Sequence, residues 1–182
     1  MRKMYDFKYL VNLRYEWIYM DYQIQYKKYE EGDFDTFFEL VQRDEVMKYV
    51  TGKGLTEAEA RAKFDSDLLV NKGHPSLGYF LVIDGNTGAV MGDAKLEFNK
   101  RDPQYFEVGY LLKEAYWGQG LGTKVCAAML ELAAQIDPTR DIIGIIDPEN
   151  GASKRLLEKF GFTSYFIGIE DDLPTEKLIL KK

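Results

Sequence analysis

Three glycines at alternate positions, Gly118, Gly120 and Gly122 in the stretch AYWGQGLGTKV, run directly into an apolar segment with helical spacing. Val125, Met129, Leu132 and Ile136 recur at steps of four, three and four, which places them on one helix face. A glycine-rich turn therefore opens a helix here, and a helix start carries unpaired N–H donors and the positive end of the helix dipole. Glycines let a ligand approach that backbone without meeting a side chain. The combination predicts an anion cradle, with phosphate as the first expectation.

Two common phosphate binders do not fit the spacing. A nucleotide P-loop requires G-x-x-x-x-G-K-[ST], whereas Gly118 is followed by Thr123-Lys124. A dinucleotide fingerprint requires G-x-G-x-x-G after the first strand of a βαβ unit. The glycines here read G-x-G-x-G and come late in the chain. Coenzyme A, whose pyrophosphate needs the same cradle, is the third option.

The remaining composition narrows the classes further. A chain of 182 residues holds one domain with a full core, and 46% hydrophobic with 30% charged residues is an ordinary globular balance. A formal charge of -6 disfavours non-specific nucleic-acid binding and makes a basic substrate easier to attract than an acidic one. The single cysteine, Cys126, excludes an internal disulfide framework and a multi-cysteine zinc site, and it reads as a small buried hydrophobe. The single histidine, His74, sits in the polar stretch NKGHPSLG and is expected to be solvated, which argues against a His-dependent triad or a multi-histidine metal site. No metal is expected. No stretch is long and apolar enough to span a bilayer, and the start lacks an apolar signal core, so a cytoplasmic protein without membrane partners is the expectation.

Along the chain, residues 1–21 are rich in aromatics, including Tyr5, Phe7, Tyr9, Tyr15, Trp17 and Tyr19. They are read as an N-terminal extension packed on or flanking the domain of residues 22–182. YQIQYKKY is a first strand. In EEGDFDTFFELVQ the residues Phe34, Phe37, Phe38 and Val41 mark a helix, with Asp33 as its N-cap. TEAEARAKFDSDLLV is a second helix, with Thr56 and Glu59 as a capping box. YFLVID, AVMGDAKLEF and QYFEVGYLL are strands with hairpin-like punctuation, and DIIGIID is a short buried strand. PENGASKRLLEKF is a helix closed by Gly161, followed by the strands FTSYFIGI and EKLILKK. The order is that of a mixed α/β, or α+β, domain.

Three ordered blocks resemble the GNAT superfamily of acetyl-CoA-dependent N-acetyltransferases: EVGYLL, the glycine turn, and PENGASKRLLEKFGF after the next strand. The family signature, Gln/Arg-x-x-Gly-x-Gly/Ala at a helix start, is matched by Trp117-Gly118-Gln119-Gly120-Leu121-Gly122, with Trp117 in the Gln/Arg place. That departure resembles the branch of ribosomal-protein N-terminal acetyltransferases of RimJ/RimL type. The resemblance extends from about Tyr22 to the C-terminus. It implies a single domain with a central, mostly antiparallel sheet, a splayed parallel strand pair and flanking helices.

The resemblance also implies a function. An acetyl group would pass from acetyl-CoA, the cosubstrate, to a primary amine on a protein N-terminus or a small amine such as a polyamine, by direct transfer in a ternary complex. A homodimer is among the expected assemblies. The pantetheine arm is expected between EVGYLL and IIGII, paired with backbone groups of Tyr110, Leu111 and Leu112, with an N–H near Val108 facing the thioester oxygen. Gly109 suggests a bulge or a close backbone approach. Pyrophosphate is expected on the N–H groups from Gly118 to Thr123, with the Thr123 hydroxyl added and Gln119 and Leu121 contributing mainly backbone.

Glu107 is the candidate general base, directly or through water, against the competing reading of an exposed strand carboxylate. Glu97 is a weaker candidate. Asn150 and Ser153 match the family's second-helix motif, where the asparagine holds the arm and the serine approaches the sulfur. Both residue types also cap helices well. Many relatives place a tyrosine acid where this chain has Leu157, so either Ser153 assists or the thiolate leaves unprotonated, which a thiol pKa near ~8.5 tolerates. Lys154 and Arg155 are within sequence reach of a coenzyme phosphate, or form a solvated helix face. The alternative to an enzyme is a non-catalytic acyl-CoA-binding or protein-interaction module retaining the fold. A nicotinamide-dependent enzyme is the third.

Overall fold

The computed structural model describes residues 23–182, so the aromatic extension expected over residues 1–21 lies outside the described residues. Strand β1 (Ile24–Lys28) leads through a 3-10 turn into helices α1 (Phe34–Val41), α2 (Asp44–Met47) and α3 (Glu57–Gly73). Strands β2 (Gly78–Asp84), β3 (Val90–Phe98) and β4 (Phe106–Leu112) follow. Helix α4 (Leu121–Ile136), strand β5 (Ile142–Ile146), helix α5 (Gly151–Lys159) and the hairpin β6 (Thr163–Glu170) and β7 (Leu173–Leu180) complete the chain.

The seven strands form one sheet in the order β1-β2-β3-β4-β5-β7-β6. Every neighbouring pair is antiparallel except β4 and β5, which are parallel. One face carries Phe80, Leu96, Phe106, Val108, Ile142 and Leu178 against α4 and α5. The other carries Tyr79 and Leu81 against the aromatic cluster of Phe34, Phe37 and Phe64 from α1 and α3. Cys126 is fully buried on α4, as its sequence setting predicts.

Local signals explain most element ends. Thr56 accepts the Glu59 N–H while Glu59 accepts the Thr56 N–H, the expected capping box. Asp33 occupies the N-cap position of α1 but does not cap it. Its carboxylate accepts from the Glu30 N–H at 2.9 Å and from Lys27 Nζ at 2.8 Å, closing the preceding 3-10 turn instead. His74 is half-buried rather than solvated, because Nδ1 accepts the N–H groups of Ser76 (3.1 Å) and Leu77 (2.9 Å) and builds the turn into β2. The β6–β7 hairpin turns on Asp171 and Asp172 at φ 50° and 63°. Both residue types tolerate left-handed backbone, and that conformation suits a two-residue hairpin.

Candidate active site

Strands β4 and β5 pair over only three positions, Phe106 with Ile142, Glu107 with Ile143 and Val108 with Gly144. Both strands run on past that point without pairing with each other, so the sheet forks there. The Phe106 N–H donates to Asp141 O at 3.0 Å, towards β5. Backbone groups alternate sides along a strand, so those of Val108, Tyr110 and Leu112 also face β5. Val108 stands at the last rung, and the groups of Tyr110 are the first beyond the ladder.

The remaining β4 positions differ from a simple docking edge. The Leu111 N–H points the other way and donates to Asp93 Oδ1 on β3 at 3.2 Å. The Leu112 carbonyl is taken by the Trp117 indole N–H at 2.7 Å. Gly109 stays in continuous register with Lys95, so there is no bulge. The close approach at Gly109 comes from a side chain, because a Cβ there would stand 2.9 Å from Lys95 Cε.

A cavity of about 830 Å³ runs through the fork. At one end lies the turn into α4, where Gly118 and Gly120 adopt φ 71° and 77°, values that L side chains rarely take. A Cβ on Gly118 would meet nothing within 4 Å, so its face is open. Gly122 differs: a Cβ there would press on Leu156 at 3.1 Å and Tyr110 at 3.4 Å, so this glycine lets α4 pack close to β4 and α5. The N–H groups of Gly118, Gly120, Leu121 and Gly122 make no hydrogen bond among the described residues. The Thr123 N–H is engaged, donating to Gly120 O at 3.1 Å, which shortens the run of donors expected there. The Gln119 amide donates to Ala115 O at 2.6 Å and braces the turn.

Helix α5 supplies the far wall. Asn150 caps it by accepting the Ser153 N–H at 3.1 Å, which uses the amide oxygen and leaves the amide nitrogen as a donor. Ser153 lines the cavity, and its Oγ lies 3.5 Å from Tyr110 Oη. Leu157 is buried against Gly144. Lys154 is drawn off by buried Glu176 at 2.8 Å, whereas Arg155 lines the cavity.

On the α3 side the cavity is bounded by a polar network that sequence reasoning found only in part. Lys95 Nζ is ion-paired with Glu107 and lies 3.1 Å from Glu97, and Asn99 donates to Glu107 at 2.7 Å. Tyr79 donates to Glu97 at 2.7 Å. Burial would raise the Glu107 pKa, but the Lys95 charge and the bonds from Lys95 and Asn99 outweigh it and hold the carboxyl below its ordinary value. Asp93, 7% exposed and lining the cavity, is pushed up to about 6 by burial. The alternation Asp93, Lys95, Glu97 in GDAKLEF was the available signal: three charges on one face of a strand that is covered on both sides. Among the described residues no group of three or more His, Cys, Asp or Glu side chains is arranged to hold a metal.

The sequence model of the acetyltransferase (GNAT) domain matches residues 24–163, and the chain belongs to that family of acetyltransferases. The chain is 26% identical over 141 residues to the uncharacterized protein YkkB of Bacillus subtilis (strain 168), covering 76% of this chain and 81% of the relative. Its fold is similar to that of an aminoglycoside acetyltransferase, AAC(6′)-Ib, solved in complex with coenzyme A. That likeness has a TM-score of 0.71 at 21% identity, over 87% of this chain and 95% of the other. It is similar also to the ribosomal L7/L12 α-N-protein acetyltransferase RimL in complex with coenzyme A. There the TM-score is 0.70 at 14% identity, over 87% of this chain and 93% of the other.

Proposed function

We propose that this protein is an acetyl-CoA-dependent N-acetyltransferase of the RimJ/RimL-like branch, acting on a primary amine of a protein N-terminus or of a small amine such as a polyamine. The observation that carries the reading is the fork: one cavity joins unpaired helix-start N–H groups, an open strand edge and a polar wall. Acetyl-CoA supplies an acetyl group activated as a thioester. The N–H groups of Gly118, Gly120, Leu121 and Gly122, with the Thr123 hydroxyl, hold the pyrophosphate, and Arg155 adds charge beside it. Backbone groups of Tyr110 and the Asn150 amide nitrogen align the arm. An N–H at the end of the ladder, near Val108, donates to the oxygen on which negative charge develops.

Much of the acceleration then comes from holding two reactants together. The amine enters from the α3 side, past Tyr79 and Asp93. Glu107, kept ionised by Lys95 and Asn99, receives the amine's proton directly or through water.

The experiment is thermal unfolding with acetyl-CoA, CoA, NAD and ATP added separately, then thiol release from acetyl-CoA across a panel of amines and N-terminal peptides. A ligand at ~100 times its dissociation constant adds about 2.7 kcal/mol, or several degrees for a domain of this size. Stabilisation by acetyl-CoA and CoA alone, with turnover that Glu107→Gln lowers, is the expected result. Tight binding without turnover of any amine would establish the non-catalytic module instead.

A further inference from the structure

Asp93 is a buried carboxylate without a counter-ion at the wall of the cavity. It is 7% exposed, it lines the cavity from β3, and among the described residues no cation pairs with it. Its oxygens accept the Leu111 N–H at 3.2 Å and, from farther off, the Tyr29 hydroxyl at 3.4 Å. The lysine whose charge reaches it, Lys63, is held by Asp67 at 2.8 Å. Asp67 is itself buried, and its second oxygen has no hydrogen-bond partner. Lys95, two residues along β3, is already shared by Glu97 and Glu107. Asp67, Asp93, Glu97 and Glu107 are thus four buried carboxylates facing two lysines, while Lys100 acts from an exposed position. A buried charge ordinarily has a partner, because desolvating it alone is costly. Here that cost shows at Asp93, whose carboxyl burial lifts to about 6.

The place of Asp93 relative to the fork decides which nitrogen it meets. Its register partner is Leu111, three residues beyond Val108. It stands on β3, whereas the backbone groups of Val108 face β5. Three residues at ~3.4 Å and one strand spacing of ~4.8 Å put the two main chains ~11 Å apart. An aspartate side chain and one ion pair of at most ~4 Å do not bridge that distance. A nitrogen at Asp93 is therefore a different nitrogen from the one at the end of the ladder.

We propose that Asp93 is a specificity-determining residue, which holds a second ammonium of the acceptor while the first amine is acetylated at the fork. The proposal rests on the coenzyme reading above. It narrows the acceptor to amines with two cationic nitrogens, as in a linear α,ω-diamine or a peptide with lysine beside its free N-terminus. In the transfer the first nitrogen bonds to the acetyl carbon and gives up its proton to Glu107 or water. The carbon–sulfur bond breaks with its electron pair going to sulfur. The second ammonium keeps its proton throughout and supplies the counter-charge that Asp93 lacks.

The test needs no turnover. Protein saturated with coenzyme A is titrated calorimetrically with linear α,ω-diamines, from diaminopropane to diaminohexane, and with the matched alkyl monoamines. N-terminal peptides with lysine at the second position, and the same peptides with norleucine there, form a parallel series that tells a peptide source from a free diamine. In one of the two series the wild type is expected to bind the dicationic member about tenfold or more tightly than its match. Asp93→Asn keeps the side-chain shape and an acceptor for the Leu111 N–H, and it is expected to bind the two members alike. A purely structural role for Asp93 would instead weaken both members equally and leave the preference standing. With acetyl-CoA present, the same preference is expected in KM for the acceptor rather than in kcat. Equal binding within both series by the wild type, or a preference that survives in Asp93→Asn, overturns the proposal while leaving the coenzyme reading intact. Failure of the wild type to bind coenzyme A in the first titration overturns both.

Discussion

Leu157 fills the space that a side chain at Gly144 would need: a Cβ built there stands 2.7 Å from Leu157 Cδ1. The contact lies at the crotch of the fork, where Gly144 is the last β5 residue paired with β4. Gly144→Ala should therefore cost about 1–3 kcal/mol through overpacking. Leu157→Ala alone should cost about 2–5 kcal/mol by leaving a cavity. Combined, the two are expected to be less harmful than their sum, since the added methyl enters vacated space. Urea unfolding of all four proteins closes the cycle.

Lys95 separates two carboxylates that face each other across the sheet, since Glu97 and Glu107 are register partners. Removing it leaves both buried without their cation. Lys95→Ala should lose about 3–5 kcal/mol at neutral pH, the usual range for breaking a buried pair from one side. The pH response identifies the cause. In the wild type the depressed Glu107 pKa contributes stability above its unfolded value, which is lost as pH falls through the folded one. In the variant burial still raises the Glu107 pKa while only the Asn99 bond and the Lys100 charge oppose it, so acidification from pH 7 towards 5 should narrow the deficit. Chemical unfolding at several pH values measures this.

Asp93 titrates with the opposite sign. Burial lifts it from 3.8 to about 6, against the nearby Lys63 charge, the Leu111 N–H and the Tyr29 hydroxyl, with Asp67 pushing the same way as burial. A raised carboxyl favours the protonated folded state, so its contribution is full below its unfolded value and is lost as pH rises through about 6. Asp93→Asn should therefore be more stable than the wild type at pH 8, on the order of 1–3 kcal/mol. The advantage should vanish near pH 4.5.

The sequence made the main chain of this site legible and left most of its side-chain wall hidden. Gly118 and Gly120 announce their left-handed backbone because few other residues tolerate it, and the apolar periodicity of α4 announces the helix they open. The fork itself was expected only through the family resemblance, since pairing that stops after three rungs leaves no mark in residue type. The partnership of Lys95 with Glu107 was hidden because β3 and β4 are joined by a loop whose register the sequence does not state. Lys154 was misleading for a similar reason, as its partner Glu176 arrives from a strand more than twenty residues later. Gly109 was expected to mark a bulge or a close backbone approach, whereas what stands against it is the side-chain stem of Lys95.

The two positive-φ glycines before α4 separate in their expected effects on coenzyme binding. Gly118→Ala adds a methyl in open space, and Gly120→Ala adds one at the residue preceding the helix. Each should cost about 1 kcal/mol of stability from backbone strain. Each should also weaken coenzyme A binding by about ten- to a hundredfold, since removing or misaiming one donor to a charged group costs roughly 1.5–3 kcal/mol. Calorimetric titration checks this. Gly122→Ala, which crowds Leu156 and Tyr110 instead, should act mainly on stability.

The three-rung ladder also bears on how such a protein drifts over time. On the coenzyme reading the fork offers its ligand peptide groups, and a peptide group survives any substitution that keeps the strand extended. The slot is thus inherited with the architecture, and its lining residues can be exchanged widely without closing it. The opposite wall, where Asp93 and Tyr79 stand, is made of side chains, so a single substitution there changes what the cavity presents. A lineage built on this plan can keep its donor while changing its clientele.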